Sequence, residues 1–135
     1  MSYVYNFYCL KTLAKPFYRM IKHPQTTNRI NFSNSDFELK GDIIRFNKNI
    51  NCQIELQYKN YKFYESCLYS PLCLNYDLMI FKNNQFDNKL NITKDFNRNG
   101  NMELMNTDLW ISLSVENQTT LNNIYDILEI GSKDN

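Results

Sequence analysis

The sequence predicts an α+β domain: an antiparallel β-sheet or open barrel of about six to nine short strands, with an N-terminal and a C-terminal helix. Three stretches carry that expectation. In residues 52–65 (CQIELQYKNYKFYE), Cys52, Ile54, Leu56 and Tyr58 alternate with Gln53, Glu55 and Gln57, and Tyr61 and Phe63 resume the alternation after Lys59-Asn60. Period-two apolar spacing is that of a half-buried strand, and a two-residue break between two such runs marks a β-hairpin. Leu109, Ile111, Leu113 and Val115 repeat the pattern against Trp110, Ser112, Ser114 and Glu116. Leu121, Ile124, Tyr125 and Leu128 instead fall at i, i+3, i+4 and i+7, the stripe of a helix packed on a sheet. Strand-like runs follow one another without intervening helices, so no βαβ rhythm supports a parallel sheet.

From the N-terminus, residues 3–8 (YVYNFY) suit either a strand or a helix start. Leu13, Phe17, Met20 and Ile21 are spaced as one helix face, with Pro16 in the first turn or at a kink. His23-Pro24 ends that helix, because a residue before proline avoids the α region. Residues 25–28 read as a polar loop, 30–32 as a short strand and 33–36 (SNSD) as a turn. Phe37 and Leu39 alternate up to Gly41, and 42–46 forms a further run before the turn Asn47-Lys48-Asn49.

Beyond the central hairpin, Ser70-Pro71 marks another turn. Tyr76, Leu78 and Ile80 alternate with Asp77, Met79 and Phe81, suggesting a strand with both faces largely covered, and Leu90 and Ile92 suggest a weaker one. Asn99-Gly100 is the best hairpin turn by residue type and is followed by Met102 and Leu104. Thr119 or Thr120 is expected to cap the last helix and Gly131 to end it. With Lys59-Asn60 as the central loop, Tyr58 faces Tyr61, Leu56 faces Phe63 and Cys52 faces Cys67. Directly opposed Cα atoms stand about 5.5 Å apart, within disulfide reach. In a reducing cytosol, two buried free thiols are the preferred reading.

A chain of 135 residues is one domain's worth, and 43% hydrophobic residues suffice for a core, so 1–135 is read as a single globular domain. Asn, Lys, Ile, Tyr and Phe are enriched together, as in an AT-rich genome, so a lone Asn is a weak functional signal. The formal net charge of +1 disfavours nucleic acid or an anionic membrane as partner. No run approaches ~18 consecutive apolar residues, and MSYVYNFYCLK lacks the basic and apolar segments of a signal peptide. A cytoplasmic location is expected.

Motifs that carry chemistry are sparse. Cys9, Cys52, Cys67 and Cys73 contain no CxxC pair, and Gly41, Gly100 and Gly131 build no phosphate-cradling loop. Residues 95–106 resemble the start of an EF-hand-like calcium loop, with Asp95, Asn97, Asn99 and Glu103 at ligand positions, but Asn106 stands where the last acid belongs. A hairpin turn explains that run better, and no metal or cofactor is expected. His23, the only histidine, reads as a loop residue rather than half of a thiol–imidazole pair with Cys9. The chain is therefore expected not to be an enzyme.

Surface recognition has better support. Trp110 lies on the strand face opposite Leu109, Ile111, Leu113 and Val115, and Tyr64 shares the polar face of the hairpin with Glu55, Gln57 and Lys62. Outward aromatics are what partner interfaces use as anchors. The candidate binding residues are Trp110, Tyr64, Lys62 and Tyr58, unless a helix covers that face and makes Trp110 core. The expected function is a non-catalytic protein-binding module, such as a small inhibitor of the toxin-immunity or viral-antagonist kind. It would have a protein partner and no membrane, with a homo-oligomer left open. The alternatives are a barrel-like binder of a hydrophobic small molecule, and a small hydrolase or nuclease using His23.

Overall fold

The computed structural model describes residues 3–8, 15–22, 27–30, 33–40, 43–95, 101–103 and 110–129. Cys9, His23, Gly131, Asn99-Gly100 and most of the calcium-like run lie outside them. In chain order the elements are β1 (Tyr3–Tyr8), α1 (Lys15–Lys22), β2 (Thr27–Ile30), β3 (Phe37–Lys40), β4 (Ile43–Phe46), β5 (Ile50–Tyr58), β6 (Tyr61–Tyr69), β7 (Cys73–Lys82), β8 (Gln85–Asp95), β9 (Asn101–Glu103), β10 (Trp110–Val115) and α2 (Gln118–Leu128). The strands form three antiparallel sheets: β2-β5-β6-β7-β8, β3-β4-β9 and β1-β10.

The expected α+β architecture is therefore present, with two corrections. The described residues hold ten strands rather than six to nine, divided among three sheets. The four strands from β5 to β8 are long, nine to eleven residues each. Of the two expected forms it is the antiparallel sheet that is present, with β2 and β8 at the two ends of the largest sheet. The helices are small, and the first of them follows a strand: residues 3–8 pair with β10, from Tyr3 opposite Val115 to Tyr8 opposite Trp110.

The central hairpin has the expected register, with Tyr58 opposite Tyr61, Leu56 opposite Phe63 and Cys52 opposite Cys67. Lys59 takes φ 53° at the turn. A second two-residue turn, Asn83-Asn84, joins β7 to β8 with φ 53° and 62°, a left-handed pair that asparagine tolerates better than most residues. The two turns lie side by side. The Asn83 N–H donates to the Asn60 carbonyl at 2.8 Å, and Asn60 Nδ2 donates to Asn83 Oδ1 at 2.9 Å.

Strand β8, weak by sequence, pairs with β7 along its whole length. Its polar alternation lowered the sequence signal, and pairing to a strong neighbour overrides propensity. By contrast, β8 and β9, the described strands on either side of the expected Asn99-Gly100 turn, belong to different sheets.

Pro16 sits in the first turn of α1, where its missing N–H leaves no intrahelical bond unmade. Helix α2 is capped by Asn117, whose Oδ1 accepts from the Thr120 N–H at 2.8 Å, rather than by a threonine side chain. It ends at Glu129, in the left-handed region at φ 52°, ahead of Gly131.

One face of the five-stranded sheet is the floor of the core. Ile54, Phe63, Tyr76 and Ile80 on that floor are buried together with Ile44 and Phe46 of β4, Leu113 and Val115 of β10, and Leu121 and Ile124 of α2. Phe17 of α1 sits between layers, its ring centroid 4.9 Å from Phe37, 5.4 Å from Phe46 and 5.3 Å from Tyr69.

Within this apolar layer lies a buried ion pair. Glu65 takes an inward position on β6, between Phe63 and Cys67. Its Oε1 accepts from Arg19 Nη1 of α1, and its Oε2 accepts from the Tyr76 hydroxyl at 2.6 Å. Arg19 Nη2 donates to the Leu128 carbonyl at 2.9 Å, so one guanidinium ties α1 to both β6 and the end of α2. Burial alone would pull Arg19 down, but Glu65 and Tyr76 outweigh it and hold the guanidinium above its ordinary value.

Cys52 and Cys67 are both buried and free, with no bridge between them. Burial pushes Cys52 from 9.0 up to about 12, and pushes Cys67 well above the usual thiol range. The sign of the linkage follows: the unfolded chain ionises first, so their contribution to stability is present below about pH 9 and lost as pH rises toward 12. Urea midpoints followed by circular dichroism should fall steadily over that window, and a flat profile would argue against buried protonated thiols.

Candidate functional site

Three of the exposed large apolar side chains, Tyr64, Met79 and Phe86, gather on the face of the five-stranded sheet turned away from the core, whereas Leu39 and Leu72 lie elsewhere. Because side chains alternate along each strand, strand pairing lines the outward residues up in rows across the sheet. Gln57, Lys62, Phe81 and Phe86 form the row nearest the two turns; Glu55, Tyr64, Met79 and Lys89 form the next; Gln53, Ser66, Asp77 and Asn91 form the third. A bulge in β8 opposite Ile80/Phe81 takes up Asp87 and returns Phe86 to the face carrying Phe81.

Three of these residues are large, apolar and substantially in solvent: Tyr64 is 38% exposed, Met79 40% and Phe86 54%. Phe81 lies between them. Its ring meets Tyr64 edge-on at 5.5 Å and Phe86 edge-on at 5.9 Å, the geometry that the ring quadrupole favours. Lys62, Tyr64, Met79, Phe81 and Asn84 line an open hollow of about 510 Å³. A second, of about 230 Å³, continues along the sheet past Tyr64 and Met79 to Gln53, Ser66 and Asp77. The far side of the face is polar: Asn91 Nδ2 donates to Asp77 Oδ1 and, at 3.4 Å, to Asn75 Oδ1.

Of the residues singled out by sequence, this face brings together Tyr64 and Lys62. Tyr58 is elsewhere, at the core side of β5, where its hydroxyl accepts from Asn123 Nδ2 of α2 at 2.6 Å and Lys59 Nζ lies 5.3 Å from its ring centroid. Trp110 begins β10, in a different sheet from Tyr64, and its side chain lies outside the described residues.

Met79, Phe81 and Phe86 are the members that sequence reasoning missed. The strand around Tyr76 was expected to be largely covered on both faces; Asp77 and Phe81 are half-buried, whereas Met79 is open to solvent. The available signal was parity: Asp77, Met79 and Phe81 share one face, and a charged residue on it marks that face as outward. Phe86 becomes placeable once Asn83-Asn84 is read as a turn.

Among the described residues, no three His, Cys, Asp or Glu side chains gather as a metal site, and no helix is long and apolar enough to cross a membrane. No family model, curated protein or solved structure matches this chain.

Proposed function

We propose that the chain is a non-catalytic protein-binding module that engages its partner through the outer face of the five-stranded sheet. The observation that carries this reading is the edge-on cluster of Tyr64, Phe81 and Phe86 beside Met79, held in solvent on paired strands. Aromatic anchors ringed by polar groups are the usual energetic centre of an interface, and a sheet presents them at little ordering cost. Here Lys62, Glu55, Asn84 and Asp77 supply that rim. The form proposed for that module is a small inhibitor of the immunity or antagonist kind.

The competing reading, an interior pocket for a hydrophobic small molecule, is disfavoured by the ring packing inside. Phe17, Phe46 and Tyr69 fill part of the core, with ring centroids 5.1–5.4 Å from one another.

The test is capture from the native source with the wild-type chain, a Tyr64→Ser/Phe81→Ser variant, and Leu39→Ser as a surface control. The partner should be retained by the control and lost, by at least about tenfold in recovery, with the double variant. Equal capture by all three would remove the outer face from the function.

A further inference from the structure

Building on that reading, we propose that the occupant of the outer face is a second copy of this chain, packed sheet on sheet about a two-fold axis running along the strands between β6 and β7. Such an axis exchanges β5 with β8 and β6 with β7, so each outward row meets its own reverse. The row Glu55, Tyr64, Met79, Lys89 then lies against Lys89, Met79, Tyr64, Glu55 of the second copy. Glu55 of each chain faces Lys89 of the other, and each Tyr64 ring faces a Met79 thioether, a favourable sulfur–aromatic contact. In the row nearer the turns, Lys62 comes over Phe81 as a cation over a ring face, and Gln57 over Phe86. In the third row Ser66 meets Asp77 and Gln53 meets Asn91.

No like charges oppose one another in these three rows. Neighbouring placements of the axis lack that property: an axis along β6 sets Lys62 on Lys62, and one along β7 sets Asp77 on Asp77. Of these three placements, only the axis between β6 and β7 engages all four strands without opposing like charges. Four strands about 4.8 Å apart and nine residues at about 3.4 Å give a footprint of roughly 19 by 30 Å, on the scale of a modest specific interface. Aligned sheets cross at about 30°, which a two-fold axis satisfies when each sheet's strands lie about 15° from it.

The test is sedimentation velocity of the full chain over about 1–500 μM at low salt, where surface charge is least screened. A concentration-dependent monomer–dimer equilibrium is expected. Glu55→Lys and Lys89→Glu should each raise its dissociation constant about tenfold, since each creates two like-charge contacts, and the two together should restore it to within about threefold. A monomer throughout, a dimer indifferent to either reversal, or a double variant no better than the singles would each overturn the arrangement. A monomer whose Tyr64→Ser/Phe81→Ser variant still loses a captured partner sinks the self-association and leaves the binding module standing. A chain that neither self-associates nor captures a partner removes both.

Discussion

Arg19→Met should lower the unfolding free energy by about 3–5 kcal/mol, the range found when one member of a buried ion pair is removed. The loss comes mainly from what is left behind. Glu65, with none of its side chain exposed, would keep only the Tyr76 hydroxyl, and the Leu128 carbonyl would lose its donor. The pair itself is not the source of the stability, because taking two charges out of water costs about as much as their attraction returns. Accordingly, the triple variant Arg19→Met/Glu65→Leu/Tyr76→Phe, which removes the carboxylate and hydroxyl together, should recover most of the loss. Urea unfolding of the wild type, the single and the triple variant measures both steps. A single variant within about 1 kcal/mol of wild type would mean that Arg19 and Glu65 do not meet inside the fold.

Phe17→Ala is expected to cost a similar amount, about 3–5 kcal/mol, as large-to-small changes at fully buried aromatic positions do. Phe17 is 0% exposed and touches rings from three elements: Phe37 of β3, Phe46 of β4 and Tyr69 of β6. An alanine there leaves a cavity that none of these strands can fill, since β3 and β4 are held in one sheet and β6 in another. Because α1 spans only Lys15–Lys22, loss of this anchor should show as a loss of helical signal ahead of the main transition. Circular dichroism at helix and sheet wavelengths during urea unfolding tests it. Coincident transitions with an unchanged midpoint would show that Phe17 is not the anchor.

How much of this was legible in sequence varies with the physics behind each feature. The hairpin register was readable to the residue, because period-two alternation on both arms and a two-residue loop leave one solution. Helix α2 was readable for the same reason at a different period. Glu65 was not, although it occupies an inward position between Phe63 and Cys67 and so breaks the apolar alternation of β6. That break was the available sign of a buried charge, but its partner is 46 residues away on a short helix, which no local pattern reveals.

The binding face divides in the same way. Tyr64 and Lys62 were readable from the parity of their hairpin, whereas Phe81 and Phe86 depend on a turn made of two asparagines in a chain where asparagine is everywhere. Trp110 and Tyr64 could be joined only by knowing the sheet order, and the sheet order separates them.

The pairing of β1 with β10 has a bearing on how the chain is made. Strands β5 to β8 follow one another in sequence, so each finds its neighbour as soon as both have left the ribosome. Tyr3–Tyr8 emerge before any of them, whereas their partners, Trp110–Val115, emerge only after all four. Strand β1 thus waits for its partner until β5 to β8 have been made, and the meander is already available as a template when β1 and β10 meet.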